Sequence, residues 1–266
     1  MNKTTLAVSV AAACLAVPAF AGPAFGVSTE ILRFKFDETL SGGQYAQGQV
    51  IVDAMGPNAE NGVLDLQGTP PGFITQVTSP ISGFGKAMKF GTTTCGSSSC
   101  TNQGVIKIED SVPGVFTPGI NNFEWGATVQ LTAPSTGMGM NVIQKGRSGT
   151  EDMWKLQLDL GAASCVVKVD GGTVAKAASP QLTVGHNYKL RCKRVSGILT
   201  LTVTEFAADG SQVGVPVVYQ STGGSAAGML DHFGNADDVY VGAKGTPTSP
   251  DQLRDTILDT VTYWAG

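Results

Sequence analysis

The sequence is short of charge, of histidine and of long apolar runs, and each shortage excludes something. Charged residues are 14% of 266, with a formal net charge of −4. That balance does not suit a nucleic-acid backbone, where affinity comes from Lys and Arg neutralising phosphates. The only histidines are His186 and His232. They form no His-Glu-x-x-His, so a zinc protease centre of that kind is absent. "GGSAAG" departs from Gly-x-Ser-x-Gly at its last position, which leaves Ser225 as a loop residue rather than a nucleophile. No EF-hand spacing occurs. Patterns of helical period are scarce, and no internal repeat or interdomain linker is visible.

One apolar run exists, near Leu6–Val17 in "MNKTTLAVSVAAACLAVPAFA". Lys3 precedes it and Ala19-Phe20-Ala21 ends it, a small-x-small cleavage pattern. Residues 1–21 therefore read as a secretory signal peptide, too short to span a bilayer, with the folded domain over residues 22–266. Cys14 lacks the leucine-like residue three positions earlier that lipidation would need, since Ala11 is there. The expectation is a secreted monomer with no integral membrane span.

What the chain has in quantity is glycine, 35 residues, with abundant Thr and Val. This composition describes strands joined by tight turns, and about 245 residues suffice for one β-sandwich core. Beyond Cys14 there are four cysteines: Cys95, Cys100, Cys165 and Cys192. An even number in an exported chain implies disulfides. Of three pairings, sequence separation favours Cys95–Cys100 around "GSSS" and Cys165–Cys192 between two strand-like runs. The spacing fits no standard zinc site.

Strands are legible by period two. "ILRFKFDETL" buries Leu32, Phe34 and Phe36; "NNFEWGATVQL" puts Phe123, Trp125, Ala127, Val129 and Leu131 on one face. In "VIQKGRSGTEDMWKLQLDL", Trp154, Leu156, Leu158 and Leu160 alternate with Met153, Lys155, Gln157 and Asp159. "YKLRCKRV" turns Tyr188, Leu190 and Cys192 inward and Lys189, Arg191 and Lys193 outward; Ser196-Gly197 then marks a hairpin. Further strands are expected in "GQVIVD", around Val63–Leu66, and in "GFGKAMKF", "GVIKIED", "SCVVKVD", "VYVGAKG" and "ILDTVTYW". "SPDQLRDTI" would hold one short helical turn, and "STGGSAAG" a surface loop. Without strand–helix alternation, the pattern favours a sandwich.

These motifs, in this order, resemble the LamG-like jelly rolls of the concanavalin A-like lectin/glucanase superfamily. The resemblance rests on "FKFDE", "DAMGPNAENG", "GFGKAMKF", "FEWGATV", "VIQKG", the strand at Trp154, "VGHNYKLRC", "VYVGAKG" and "ILDTVTYW", over most of residues 30–264. It implies an all-β, two-sheet antiparallel jelly-roll sandwich with the chain ends paired near one edge, and glycan or surface-protein ligands, often with calcium. Two positions depart from the family pattern: Leu258-Asp259 replaces two successive acids, and His186-Asn187-Tyr188 replaces a Trp-His-like sequence.

A glucanase of the superfamily carries Glu-x-Asp-x-x-Glu on one strand, which aims carboxylates at one glycosidic bond. No such run exists here. Glu109-Asp110 and Glu151-Asp152 are adjacent acids and read as solvated loop residues. A lyase needs clustered Arg, His and Tyr; His186 reads as packing beside Tyr188, and His232 lies near acids in "MLDHFGNADD". The expectation is a non-catalytic binding module, with a polysaccharide-degrading enzyme or a structural adhesion protein as alternatives. A calcium site would draw on Asp37, Asp53, Asn58, Asn61 and Asp259, against a reading in which Asp53 and Asn61 hold turns. Trp125 and Trp154 read as core, and Trp264 is open to either role. Lys145 and Arg147 read as a solvated bend that could meet an acidic ligand.

Overall fold

The computed structural model describes residues 28–55, 60–67, 73–92, 103–110, 114–135, 139–147, 149, 151–169, 172, 174–233, 238–245 and 251–266. The expected signal peptide, Asn58, Cys95 and Cys100 lie outside them. In chain order the strands are β1 (Thr29–Phe34), β2 (Val50–Ile51), β3 (Gly62–Gln67), β4 (Ile74–Thr78), β5 (Lys86–Phe90), β6 (Gln103–Ile108), β7 (Phe123–Leu131) and β8 (Met140–Gly146). They continue with β9 (Met153–Asp159), β10 (Ala162–Lys168), β11 (Ala175–Gln181), β12 (Asn187–Val195), β13 (Ile198–Phe206), β14 (Gln212–Gln220), β15 (Val239–Val241) and β16 (Thr256–Ala265). The described residues contain no α-helix, only a 3-10 turn at Ser41–Gly43.

Two eight-stranded antiparallel sheets result. The first runs β14-β13-β12-β7-β16-β5-β4, with β1 also paired to β16; the second runs β11-β10-β9-β8-β15-β6-β3-β2. This is the antiparallel two-sheet sandwich the period-two pattern called for. Between the sheets lies one apolar cluster that includes Phe34, Trp125, Trp154, Leu190 and Tyr263. Its centre is aromatic: the Phe123 and Trp125 rings stack at 4.7 Å and those of Trp154 and Tyr263 at 5.2 Å. Burying apolar area of this kind drives the two layers together. Cys165 of β10 and Cys192 of β12 form a disulfide across the core, with Cα atoms 5.6 Å apart.

Two expectations change. The chain ends do pair, β1 with β16, but β16 lies inside its sheet between β7 and β5 rather than at an edge. The short helical turn is not formed over residues 251–255. There the backbone bonds outward: Asp251 O accepts from Asn141 N, Leu253 N donates to Gly242 O, and Asp255 O accepts from Thr132 N. Each partner satisfied in this way removes the reason to coil. The segment becomes a strap beside the start of β8.

Candidate functional site

On the second sheet Trp154, Leu156 and Leu158 face the core, so Lys155, Gln157 and Asp159 face outward. Cross-strand register carries that outward face sideways. Asn141 of β8 opposes Gln157, which opposes Ser164 of β10. In the next row Gln144 opposes Lys155, which opposes Val166. A bulge in β8 between Asn141 and Ile143 keeps both Asn141 and Gln144 on the outward side.

Outward polar residues of a sheet are ordinarily solvated. Here Asn141, Gln144 and Ser164 are buried at 0%, 1% and 1% exposure, and Gln157 at 6%. The strap contributes, because Asp251 O bonds to Asn141 N and the adjacent Gln252 is itself buried. Seven side-chain atoms of this group find no hydrogen-bond partner: Asn141 Nδ2 and Oδ1, Gln144 Oε1, Gln157 Oε1, Ser164 Oγ, and Gln252 Nε2 and Oε1. Buried polar atoms are nearly always paired with protein, water or ligand, and leaving one unpaired costs about 1–3 kcal/mol.

A charged rim surrounds this floor. Lys176 Nζ lies 2.8 Å from Asp159 Oδ2, and Gly139 N donates to Asp159 Oδ1 at 2.7 Å. Lys244 Nζ stands 3.5 Å from Asp251 Oδ2. Burial alone would raise the Asp159 carboxyl; the Lys176 ammonium and the Gly139 amide outweigh it and hold the group below its ordinary value. Burial pushes the Lys155 ammonium down against the pull of Asp159 and Asp251. Among the described residues Lys155 has no hydrogen-bond or ion-pair partner. The rim reaches solvent through the Lys176 and Lys244 side chains, 46% and 33% exposed. The arrangement offers donors and acceptors side by side, as a ligand rich in hydroxyl groups requires.

Of the five positions expected to hold calcium, Asn58 lies outside the described residues, and the other four have partners within the protein. Asp53 Oδ1 accepts from the amides of Arg33 and Met55, and Oδ2 from that of Glu60. Asn61 Oδ1 accepts from Asp53 N. Both thus hold one turn together. Asp37 Oδ1 accepts from Lys86 N, and the buried Asp259 accepts from the hydroxyls of Ser79 and Thr260. Burial raises the Asp259 carboxyl, and the nearby charge of Asp37 adds to it, against those two hydroxyls. Asp37 and Asp259 are linked through neighbouring residues: Asp37 accepts from Lys86 N, the adjacent Gly85 O accepts from Ser79 N, and Ser79 Oγ donates to Asp259. No three His, Cys, Asp or Glu side chains among the described residues gather as a metal site, and these oxygens are largely committed to the protein.

Other residues singled out in the sequence take structural places. Lys145 is not a solvated bend residue: it belongs to β8, is 1% exposed, pairs with Asp110 at 2.8 Å, and lies over the Phe233 ring at 4.9 Å. Asp110 is accordingly no solvated acid. Neither is Asp152, which is buried and accepts from the amides of Asp231 and His232. His186 is exposed and bonds Glu205 at 2.8 Å. Trp125 and Trp154 are fully buried, and Trp264 is part-exposed on the other sheet. Asn141, Gln144, Gln157, Ser164 and Gln252 were not singled out. Only the outward alternation of β9 pointed toward them.

No protein-family model matches the sequence, and no curated protein matches it either. Solved structures do. Domain 4 of AbnA, a GH43 extracellular arabinanase from Geobacillus stearothermophilus, in complex with arabinotriose, superposes with a TM-score of 0.50 at 13% identity. The match covers 90% of this chain and 93% of that one. A binding domain of botulinum neurotoxin DC in complex with SialylT gives a TM-score of 0.48 at 9% identity over 88% of this chain, which spans 47% of the toxin domain. The LG1-3 region of the laminin alpha2 chain gives 0.37 at 20% identity over 50% of this chain and 25% of that one. The first of these likenesses is one of fold.

Proposed function

We propose that this chain is an exported, non-catalytic module that binds neutral carbohydrate on the outward face of β8, β9 and β10. The observation that carries the proposal is the polar rim of Lys155, Asp159, Lys176 and Lys244, which reaches solvent above a floor of buried amides. A sugar hydroxyl both donates and accepts, so it can meet the Lys155 ammonium and the Asp159 carboxylate together, which a simple ion cannot. Domain 4 of AbnA, which shares the fold, was solved with arabinotriose; short arabino-oligosaccharides are therefore the first probes. Export is supported by the core disulfide, since such bonds persist in oxidising compartments, and by the form of residues 1–21.

Calorimetric titration with arabinotriose and a panel of neutral oligosaccharides should give saturable binding. Lys155→Ala and Lys176→Ala should each weaken it about tenfold or more, the worth of one hydrogen bond from a charged group to a ligand. No binding across the panel, or full affinity in both variants, would refute the assignment. Release of reducing ends from a polysaccharide panel would favour the enzymatic alternative. Calcium dependence enters only through the Asp37–Asp259 pair. It predicts that calcium raises the melting temperature and chelation lowers it.

A further inference from the structure

The outward face of the first sheet carries a different chemistry. Lys189, Arg191 and Lys193 alternate outward along β12, about 7 Å apart as period-two geometry requires. Register continues the Arg191 row through Gly126 of β7 and Thr262 of β16 to Arg33 of β1. Gly126 has no side chain to fill the middle of that row. A Cβ there would stand 2.3 Å from Leu190 O, so the floor of the dip is backbone. The result is a groove of about 240 Å³ bordered by Arg33, Lys35, Lys189, Arg191 and Trp264.

Its charge is not a reflection of composition, for the whole chain carries −4. Arg33 pairs with Glu30 and Arg191 with Glu124. Lys35 and Lys189, both exposed, have no acidic partner among the described residues. Two uncompensated ammonium groups thus face one groove, with two guanidiniums behind them and an indole at one wall. Unpaired cations attract anions, and a part-exposed indole offers a flat face for a ring.

We propose that this groove is a second binding site, for an acidic glycan whose carboxylate or sulfate groups meet Lys35 and Lys189 while a sugar ring lies against Trp264. The two sites sit on outward faces of different sheets. The second therefore stands whether or not the amide-floored face binds neutral sugar. Carboxylated and sulfated chains share the chemistry, and the test separates them.

The probes are polygalacturonate, dextran sulfate, neutral dextran and a single-stranded oligonucleotide, each titrated at 50 and 300 mM salt. Binding of either acidic glycan, weakened about tenfold or more at the higher salt, supports the site, and the stronger one names the anion. Lys35→Glu/Lys189→Glu should abolish that binding without lowering the melting temperature. The charge-matched control Lys86→Glu/Lys168→Glu should retain it. Trp264→Ala should weaken it at least threefold. Neutral dextran binding that Lys35→Glu/Lys189→Glu also abolishes, tighter binding of the oligonucleotide, or equal loss in the control variant would overturn the inference.

Discussion

Asp159 shows how one side chain joins stability to the site. It accepts from Gly139 N and Lys176 Nζ, and those bonds depress its carboxyl below 3.8 although burial opposes them. Between the folded value and 3.8 the unfolded chain binds more protons, so stability rises with pH there and is lost as pH falls. Asp159→Asn should therefore lower the melting temperature at pH 6 and converge with the parent as pH falls through the depressed folded value. A constant difference across that window would show that the carboxylate charge contributes nothing. Arg194 illustrates the opposite limit. It is the inward member after Tyr188, Leu190 and Cys192, and burial brings its guanidinium down to about 10. It donates to the carbonyls of Gly228, Gly119 and Asn121 and lies 4.8 Å above Phe123. The alternation of β12 continues to it, whereas its three carbonyl partners come from two distant loops. Lys145 and Asp152 were misread for the same reason: their partners, Asp110 and residues 231–232, lie far away in sequence.

At the scale of elements, legibility followed side-chain contrast. β7, β9 and β12 alternate large apolar with polar residues, and their inward sets are those in the core, except Leu160, which falls in the turn after β9 with a positive φ and is 47% exposed. Three strands were passed over. β11, "AKAASPQ", has small inward side chains, Ala175 and Ala177, and a proline. β14, "QVGVPVVYQ", is an edge strand exposed almost throughout, with Val215 at 82%. One buried face was never required of it, so no alternation marks it; Pro216 sits there because edges tolerate a missing amide. β4 is only five residues long. The β12–β13 hairpin was visible in Ser196-Gly197, and both residues have positive φ, 49° and 77°, as a two-residue type I′ turn demands. Gly197→Ala adds a Cβ 2.6 Å from that of Ala227 at a left-handed position. It should lower stability by about 1–2 kcal/mol in urea unfolding, with Asn at the same position costing less in backbone strain. Equal stability of Gly197→Ala and the parent would mean the turn relaxes.

Whole-molecule order decided what the sequence could not disclose about the sites. Asn141, Gln157 and Ser164 lie on three strands and meet only through register; their burial also involves the strap at residues 251–253. The cation groove likewise needs β1, β7, β12 and β16 side by side. Each face is aligned by hydrogen bonding within its own sheet, whereas the Cys165–Cys192 bond ties the sheets to each other. Its partners are 27 residues apart, which by chain entropy contributes about 3.5 kcal/mol, or roughly 7–14 °C in melting temperature for a domain of this size. Cys165→Ala/Cys192→Ala, or reduction, should shift melting by that amount. Below the new transition both faces should keep their affinities, because neither ladder depends on the bond. Unchanged melting would mean the unfolded chain gains no freedom from its loss. A loss of binding in the still-folded variant would mean instead that the spacing between the sheets, and not register within each, positions the polar rows.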